Sequence, residues 1–358
     1  MRISTDARGR DIEPAVNWIS GLIGAAVDKR VLAFVQHERR NPLLASYFRD
    51  NFSLESALAK ARKYKKTTGR LPKGNEFDLL HGFLISAQRV YANLPHVAVN
   101  RFEGALRGAL KDANGLRPFA YEVSIAAHLM QKKWDVEFAD LCGTARFDYL
   151  ARQDNVEIEV ECKTTSGDTG RKIHRQEVNR LADLILPTTQ QLLETPGCHL
   201  ISVVIPDRLA PADRELAEIA SIVASAGQQK CSASGEAARV EYRYENISVW
   251  PEPNRARDAR EFFEKLFDTK NSHILFHSRP GHSIVAVMIA SAKADSVVDA
   301  IATQAKDAAD QCSGNRPALI AMHLIAGLGL KLFSKRRAGC MQLLMQCLRT
   351  RRDHTWIQ

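Results

Sequence analysis

The segment of residues 156–163, VEIEVECK, constrains the fold more than any other stretch of this chain. Charged and apolar or small residues alternate strictly, and side chains two positions apart on a β-strand share one face. The sequence therefore predicts a strand with one charged face and one core face. The charged face carries Glu157, Glu159, Glu161 and Lys163. Such a strand either has a solvated charged face or carries a functional site.

The region around this strand has a distinctive order of elements. Pro118 suits the first turn of a helix that we expect to reach about residue 133. Alternating and β-branched stretches then predict three strands, and an apolar run predicts a buried fourth strand after an intervening helix. The predicted strands cover residues 134–139, 147–151, 156–163 and 199–205, and the second helix covers 173–193. Residues 116–206 are thus expected to form an α/β core of helix, three strands, helix and strand.

Length and composition set the frame for this core. The chain has 358 residues, which suits two domains or one large domain with an appended piece. Apolar residues make up 45% and charged residues 25%, which is typical of globular proteins and excludes a disordered or collagen-like chain. Around the core, we predict a helical domain over 1–115, a mixed α/β extension over 207–327 and a basic helical tail over 328–358.

Cysteine usage and hydropathy indicate the compartment. The seven cysteines are odd in number and contain no CxxC pair, which argues against a zinc site or a disulfide framework. The first sixteen residues lack the apolar core of a signal peptide. The longest apolar stretch, residues 317–330, is interrupted by His323 and is too short to span a bilayer. We therefore expect a cytoplasmic protein that has no membrane partner.

The net charge of +9 is concentrated at the two ends of the chain. Residues 1–115 carry 19 basic and 11 acidic side chains, and residues 328–358 carry 7 and 1. The two middle segments are mildly acidic. Basic ends suit a polyanionic partner such as nucleic acid, although solubility alone also explains them. An acidic middle suits a metal site built from carboxylates.

Two short segments are candidates for contact with a phosphate backbone. Residues 62–73, which contain Gly69 and Pro72, carry six positive charges and are expected to form a loop. Residues 166–172, SGDTGRK, form a second small-residue loop ahead of a predicted helix. The candidate phosphate-binding side chains are Lys63, Lys65, Lys66, Arg171, Lys172 and Arg175. A solvated linker is the alternative interpretation of both segments.

Chemistry is expected where Asp148 meets the charged strand. Adjacent strands can bring Asp148 beside Glu161, and two carboxylates at strand separation repel unless a cation lies between them. Mg²⁺ is the usual solution, because it binds through one or two carboxylates together with water and substrate phosphate. Lys163 would place an ammonium at the edge of that site. Glu122 is the only acidic residue on the preceding helix and is a candidate fourth member.

Asp148 followed by Glu161-Cys162-Lys163, in this order of elements, resembles the PD-(D/E)xK nuclease superfamily with its restriction-endonuclease-like fold. The resemblance covers about residues 116–206. It implies Mg²⁺-dependent hydrolysis of DNA phosphodiester bonds, with Mn²⁺ as a substitute, in restriction, repair or defence. Asp148, Glu161 and Glu122 would then hold the metal, and Lys163 would orient the attacking water.

The sequence departs from the pattern of this superfamily at some positions. Phe147 stands where the superfamily's name has proline. Glu159 shares the charged face and competes with Glu161 as a ligand. Gln176, early in the second helix, resembles a glutamine that some members place near the site.

Other functions remain open. The same fold without catalysis would serve as a subunit that binds nucleic acid or a protein partner, although intact Asp148, Glu161 and Lys163 argue against it. RNA is an alternative substrate. The apolar helices of residues 1–115 would also suit a homodimer interface, which would allow two sites to cut two strands.

Overall fold

A computed structural model of the chain describes residues 1–4, 8–44, 52–246, 256–269, 272–324 and 343–345. The protein is of mixed α/β class, as predicted, and its described residues form helices and two five-stranded mixed sheets. Within these ranges, no helix combines the length and the apolar character that crossing a bilayer requires.

In the described part of the chain, five long helices precede the first sheet. They are α1 (Gly9–Arg40), α2 (Ser53–Thr68), α3 (Asp78–Asn93), α4 (His96–Ala109) and α5 (Arg117–Gln131). Short 3₁₀ turns lie at Pro42–Leu44 and Asn75–Phe77. Apolar residues at helical spacing build their shared core, whose fully buried members include Ile19, Leu58, Leu84 and Phe102. Pro118 lies in the first turn of α5, as expected.

The prediction of a loop over residues 62–73 is wrong for residues 62–68, which are helical. Helix α2 continues to Thr68 and ends where Gly69 adopts a left-handed conformation with φ of +72°. Lysine has a good helix propensity, so the run of positive charges does not by itself break the helix. Lys63, Lys65 and Lys66 therefore project from a helix, where Lys65 pairs with Glu13 at 2.6 Å.

The first sheet contains the strand with the charged face. Its members, in spatial order, are β1 (Asp135–Phe138), β2 (Tyr149–Gln153), β3 (Val156–Thr165), β9 (Ala318–Leu324) and β10 (Leu343–Met345). A one-turn helix, α6 (Ala139–Cys142), follows β1. All neighbouring pairs are antiparallel except β3 and β9, which run parallel. The basic helix predicted over 328–358 is wrong at residues 343–345, and the remainder of that segment lies outside the described residues.

The second sheet is built from the middle of the chain. Its strands, in chain order, are β4 (Gly197–Ile205), β5 (Ala233–Ser234), β6 (Arg239–Glu245), β7 (His273–Arg279) and β8 (Ser283–Ser291), in the spatial order β5-β6-β4-β8-β7. Helices α7 (Arg175–Leu192) and α8 (Asp213–Gln229) pack on one face. Helix α9 (Ala256–Leu266) packs on the other face through Phe262 and Phe263.

The strand predicted over 199–205 exists as β4, but it does not lie in the sheet of the charged strand. It pairs with β6 and β8 in the second sheet, where both of its faces are covered. The place beside β3 is taken by β9, because helix α10 (Val297–Ala309) carries the chain back to the first sheet. The first sheet therefore extends beyond the predicted boundary at residue 206.

Residues 175–291 form an insertion between β3 and α10, and the two segments that connect it lie side by side. Ser296 N donates to Gly170 O at 2.8 Å, and Lys172 N donates to Asp295 Oδ1 at 2.8 Å. Gly170 has a φ of +70°, and a Cβ there would lie 2.6 Å from Ser296 O, so the close approach requires glycine. These contacts fix the point at which the insertion leaves and rejoins the first sheet.

The 3₁₀ turn after α1 joins the N-terminal helices to the insertion. Leu43 and Leu44 are fully buried in the core beneath α7 and α8, although the chain places them more than 100 residues earlier. Asn41 Nδ2 donates to Asp183 Oδ1 on α7 at 2.8 Å. The second sheet therefore depends on an N-terminal segment for part of its core.

We expect Leu44→Ala to lower the free energy of unfolding by about 2 to 5 kcal/mol, because it removes a buried side chain and leaves a cavity. Leu32→Ala, at a position on α1 that is 57% exposed, is the matched control and should change it by less than about 0.5 kcal/mol. Urea unfolding of both variants measures the difference. Equal effects would contradict the placement of Leu44 in the core of the insertion.

Candidate active site

Asp148 and Glu161 lie side by side at the point where β2 begins. Asp148 immediately precedes β2, and the register of the hairpin pairs Tyr149 with Val160, so the next pair outward is Asp148 and Glu161. Asp148 N donates to Glu161 Oε2 at 3.2 Å, and Cys162 N donates to Asp148 Oδ2 at 2.6 Å. The antiparallel hairpin thus holds two carboxylates together through its own backbone.

Lys163 is bound to Glu161 by an ion pair. Its Nζ lies 2.6 Å from Glu161 Oε1. Glu161 is only 2% exposed, whereas the side chain of Lys163 is 31% exposed. The ammonium therefore lies where the buried carboxylate meets solvent.

The side chains of β3 alternate between a core face and an acidic face, as the sequence pattern predicts. Val160 and Cys162 are buried in the core formed with α5 and the N-terminal helices. Ile320 and Met322 of β9, which pair with Glu161 and Lys163, lie beneath Ala308 of α10. The acidic face is consequently covered by a helix along part of its length rather than fully solvated.

Glu122 lies near Asp148 and Glu161, but it belongs to α5, which packs on the core face of the first sheet. It lies on α5, and burial, followed by the nearby charges of Asp148 and Glu161, raises its pKa to about 8. Burial and the charge of Glu161 raise the pKa of Asp148 to about 7. Burial also raises the pKa of Glu161, despite its ion pair with Lys163. The three carboxyl groups therefore resist carrying three negative charges at once.

A cation would relieve this repulsion. Among the described residues, no three His, Cys, Asp or Glu side chains converge closely enough to hold an ion by themselves. Mg²⁺ does not require such a cage, because one or two carboxylates with water and phosphate oxygens complete its coordination. The donor set of Asp148 and Glu161 consists only of hard oxygen ligands and therefore fits Mg²⁺ or Mn²⁺.

Glu159 has a different role from the one predicted. Its carboxylate is fully buried and accepts hydrogen bonds from Ser313 N at 2.6 Å, from Ser313 Oγ, and from Arg316 Nη1 at 3.3 Å. These donors bind it to the turn between α10 and β9. The structure therefore places Glu159 as a clamp between elements and not beside Asp148.

Gln311 is a residue of the site that the sequence did not reveal. It follows α10, and in the amide orientation that satisfies both partners its Nε2 donates to Glu161 Oε1 at 3.1 Å. Its Oε1 then accepts from Lys163 Nζ at 2.7 Å. Gln176, the predicted glutamine, is instead in the first turn of α7, which packs on the second sheet. The predicted type of residue is present, but it comes from the turn that follows α10, the helix that covers this face of β3.

The predicted phosphate-binding loop has much of its positive charge engaged. Arg171 is buried and pairs with Asp295 at 3.6 Å, Lys172 pairs with Asp207 at 3.1 Å, and Arg175 pairs with Asp168 at 3.6 Å. These pairs brace the connection to the insertion. On α2, Lys63 and Lys66 are exposed.

No protein-family model, no curated protein and no solved structure matches this chain.

The raised pKa of Glu122 predicts a pH-dependent stability. Between the unfolded value near 4.5 and the folded value near 8, the folded state keeps a proton that the unfolded chain loses, so stability falls as the pH rises. In metal-free buffer, the free energy of unfolding of the wild type should therefore fall relative to that of Glu122→Gln across this range. The expected change is up to about 1.4 kcal/mol per pH unit. Urea unfolding from pH 4.5 to 8 measures this, and parallel curves would contradict the buried carboxyl cluster.

We expect Glu159→Gln to destabilise the protein by about 1 to 3 kcal/mol, because the new amide group faces hydrogen-bond donors in a buried position. Glu157→Gln is the control, since Glu157 lies on the same face and also pairs with Arg316 but is half-exposed. That change should destabilise the protein less than Glu159→Gln does, because solvent competes for an exposed ion pair. Chemical denaturation of the two variants separates the roles, and the reverse ranking would show that Glu159 is not a clamp.

Proposed function

We propose that this protein is a metal-dependent nuclease that hydrolyses phosphodiester bonds of DNA. The observation that carries the proposal is the arrangement of Asp148, Glu161 and Lys163. The carboxyl groups of Asp148 and Glu161 each accept a hydrogen bond from the backbone of the opposite arm of the hairpin, and the partly exposed ammonium of Lys163 lies 2.6 Å from Glu161. This arrangement suits the binding and cleavage of a phosphodiester.

The order of elements around the site supports a core of the restriction-endonuclease-like kind. When the insertion and the one-turn helix α6 are set aside, α5, β1, β2, β3, α10 and β9 follow one another as helix, three strands, helix and strand. The last strand runs parallel to β3, and the two helices cover opposite faces of the sheet. The second helix and the last strand are supplied by residues 297–324, and not by residues 173–205 as the sequence suggested.

Asp148 and Glu161 would hold a divalent cation, Mg²⁺ or Mn²⁺, with support from Glu122. The bound cation would supply Lewis-acid stabilisation of the negative charge that develops on the phosphate. The raised pKa values of Glu122 and Asp148 fit this role, because a positive charge at that point would lower the cost of ionising them.

Lys163 would act on the substrate directly. Its ammonium is the exposed end of the Glu161 ion pair and can donate hydrogen bonds to an attacking water or to a phosphate oxygen. A positive charge held there would stabilise the additional negative charge of the transition state. Glu161 keeps that charge close to the site, since an unpaired lysine of this length would sample many rotamers.

The chain also offers exposed positive charge for holding a polyanion. Lys63 and Lys66 project from α2 into solvent, and residues 1–115 carry most of the excess of basic residues. Contacts of this kind bind the phosphate backbone without reading base sequence. DNA is the proposed substrate, RNA is the alternative, and a homodimer would position two such sites for cutting two strands.

We expect the protein to cleave plasmid, linear or single-stranded DNA in the presence of Mg²⁺ or Mn²⁺. Glu161→Gln and Lys163→Met should each reduce the rate at least about 100-fold, because each removes a group that acts on the developing charge. Glu157→Gln, on the same strand face but outside the site, is the control and should cut at the wild-type rate. Agarose gels and a fluorescent oligonucleotide assay report the rates.

The alternative function predicts a different outcome of the same experiment. A subunit of this fold without catalysis would bind DNA with a salt-dependent affinity and cut no DNA or RNA with either metal. Cleavage that persists in both Glu161→Gln and Lys163→Met would instead place the reaction elsewhere or in a contaminant, and would refute the assignment of these residues.

A further inference from the structure

We propose that Gln311 is a positioning residue of this site, which bridges Glu161 and Lys163 and holds the lysine ammonium in place for the reaction. The inference rests on the proposed nuclease function and adds a residue that lies outside the Asp148, Glu161 and Lys163 motif. Gln311 stands 148 residues after Lys163 in the chain, beyond the whole insertion.

The amide of Gln311 closes a three-membered network of hydrogen bonds. Lys163 Nζ contacts Glu161 Oε1 at 2.6 Å and Gln311 Oε1 at 2.7 Å, while Gln311 Nε2 contacts the same Glu161 oxygen at 3.1 Å. A primary amide suits this position because it offers one donor to the carboxylate and one acceptor to the ammonium. A carboxylate would repel Glu161, and an amine would repel Lys163.

The backbone around Gln311 is fixed on both sides. Before it, Gln311 N donates to Ala308 O at 3.1 Å, and Ala308 is fully buried against β9. After it, Ser313 N and Arg316 Nη1 donate to the buried carboxylate of Glu159 at 2.6 Å and 3.3 Å. The turn is thus clamped to β3 at two points, so the amide is delivered to the site by a rigid segment.

The hydrogen-bond network fixes the direction of the Lys163 ammonium as well as its distance from Glu161. One ion pair fixes the distance between Nζ and Glu161 but leaves the direction of the ammonium free to vary, because the side chain has four rotatable bonds. A second acceptor on a rigid turn fixes that direction. Reaction rates depend steeply on such placement, and a misplacement of about 1 Å can cost about 100-fold.

The test uses Gln311→Met, which keeps the volume of the side chain and removes both strong hydrogen bonds. The kcat for DNA cleavage should fall about tenfold to 100-fold, while the KM for DNA stays within about twofold, since the proposed role of the amide is to position Lys163 and not to hold the DNA. Asn315→Ala is the control, because Asn315 carries the same group in an exposed position of the same turn. A Gln311→Met variant with wild-type kcat would overturn the proposal.

A second readout is independent of cleavage and of added metal. In metal-free protein labelled with ¹⁵N-lysine, the Lys163 ammonium signal is identified by its loss in Lys163→Met. We expect Gln311→Met to shift this signal and speed its hydrogen exchange, whereas Asn315→Ala leaves both unchanged. An unaltered Lys163 signal in Gln311→Met would overturn the positioning role. If the signal changes as expected while the wild type cuts no nucleic acid, the contact is supported and the nuclease function alone fails.

Discussion

The parallel pairing of β3 with β9 is the constraint on which the rest of the structure depends. Two parallel strands require a crossover connection, and here that connection contains a complete second sheet with its helices. The pairing sets Glu161 opposite Ile320 and brings α10 over the acidic face of β3. Ser313, Arg316 and Gln311, which stabilise that face, reach it only because β9 returns to this position.

The local parts of the site could be predicted from the sequence because local interactions form them. Strict alternation over residues 156–163 is enough to separate the two faces of β3, since the side-chain period of a strand is two. The Asp154-Asn155 turn, where Asp154 adopts a positive φ of 53°, fixes the register of the hairpin and thereby places Asp148 opposite Glu161. Neither inference requires knowledge of any residue outside the hairpin.

The long-range parts could not be predicted, because competing segments look alike in sequence. Residues 199–205 and 318–324 are both apolar strands, and proximity in the chain favours the first as the partner of β3. The second lies there because both edges of β4 are paired with β6 and β8 in the other sheet, and β9 pairs with the edge of β3. Ion pairs between distant residues could not be predicted for the same reason. In the sequence, Arg171 and Lys172 look like phosphate ligands. In the structure they pair with Asp295 and Asp207, which lie far along the chain.

The hydrogen bonds of Glu161 limit how a cation can enter. Its Oε1 atom is engaged by Lys163 and Gln311, and its Oε2 atom accepts from the backbone of Asp148. A carboxylate oxygen has two lone pairs, so Oε2 retains one for a further partner whereas Oε1 is saturated. Asp148 and Glu161 could therefore help to hold a cation while the ion pair between Glu161 and Lys163 stays intact. A single carboxylate can thus hold the Lys163 ammonium and still have an acceptor site left, because its two oxygens are engaged by different partners.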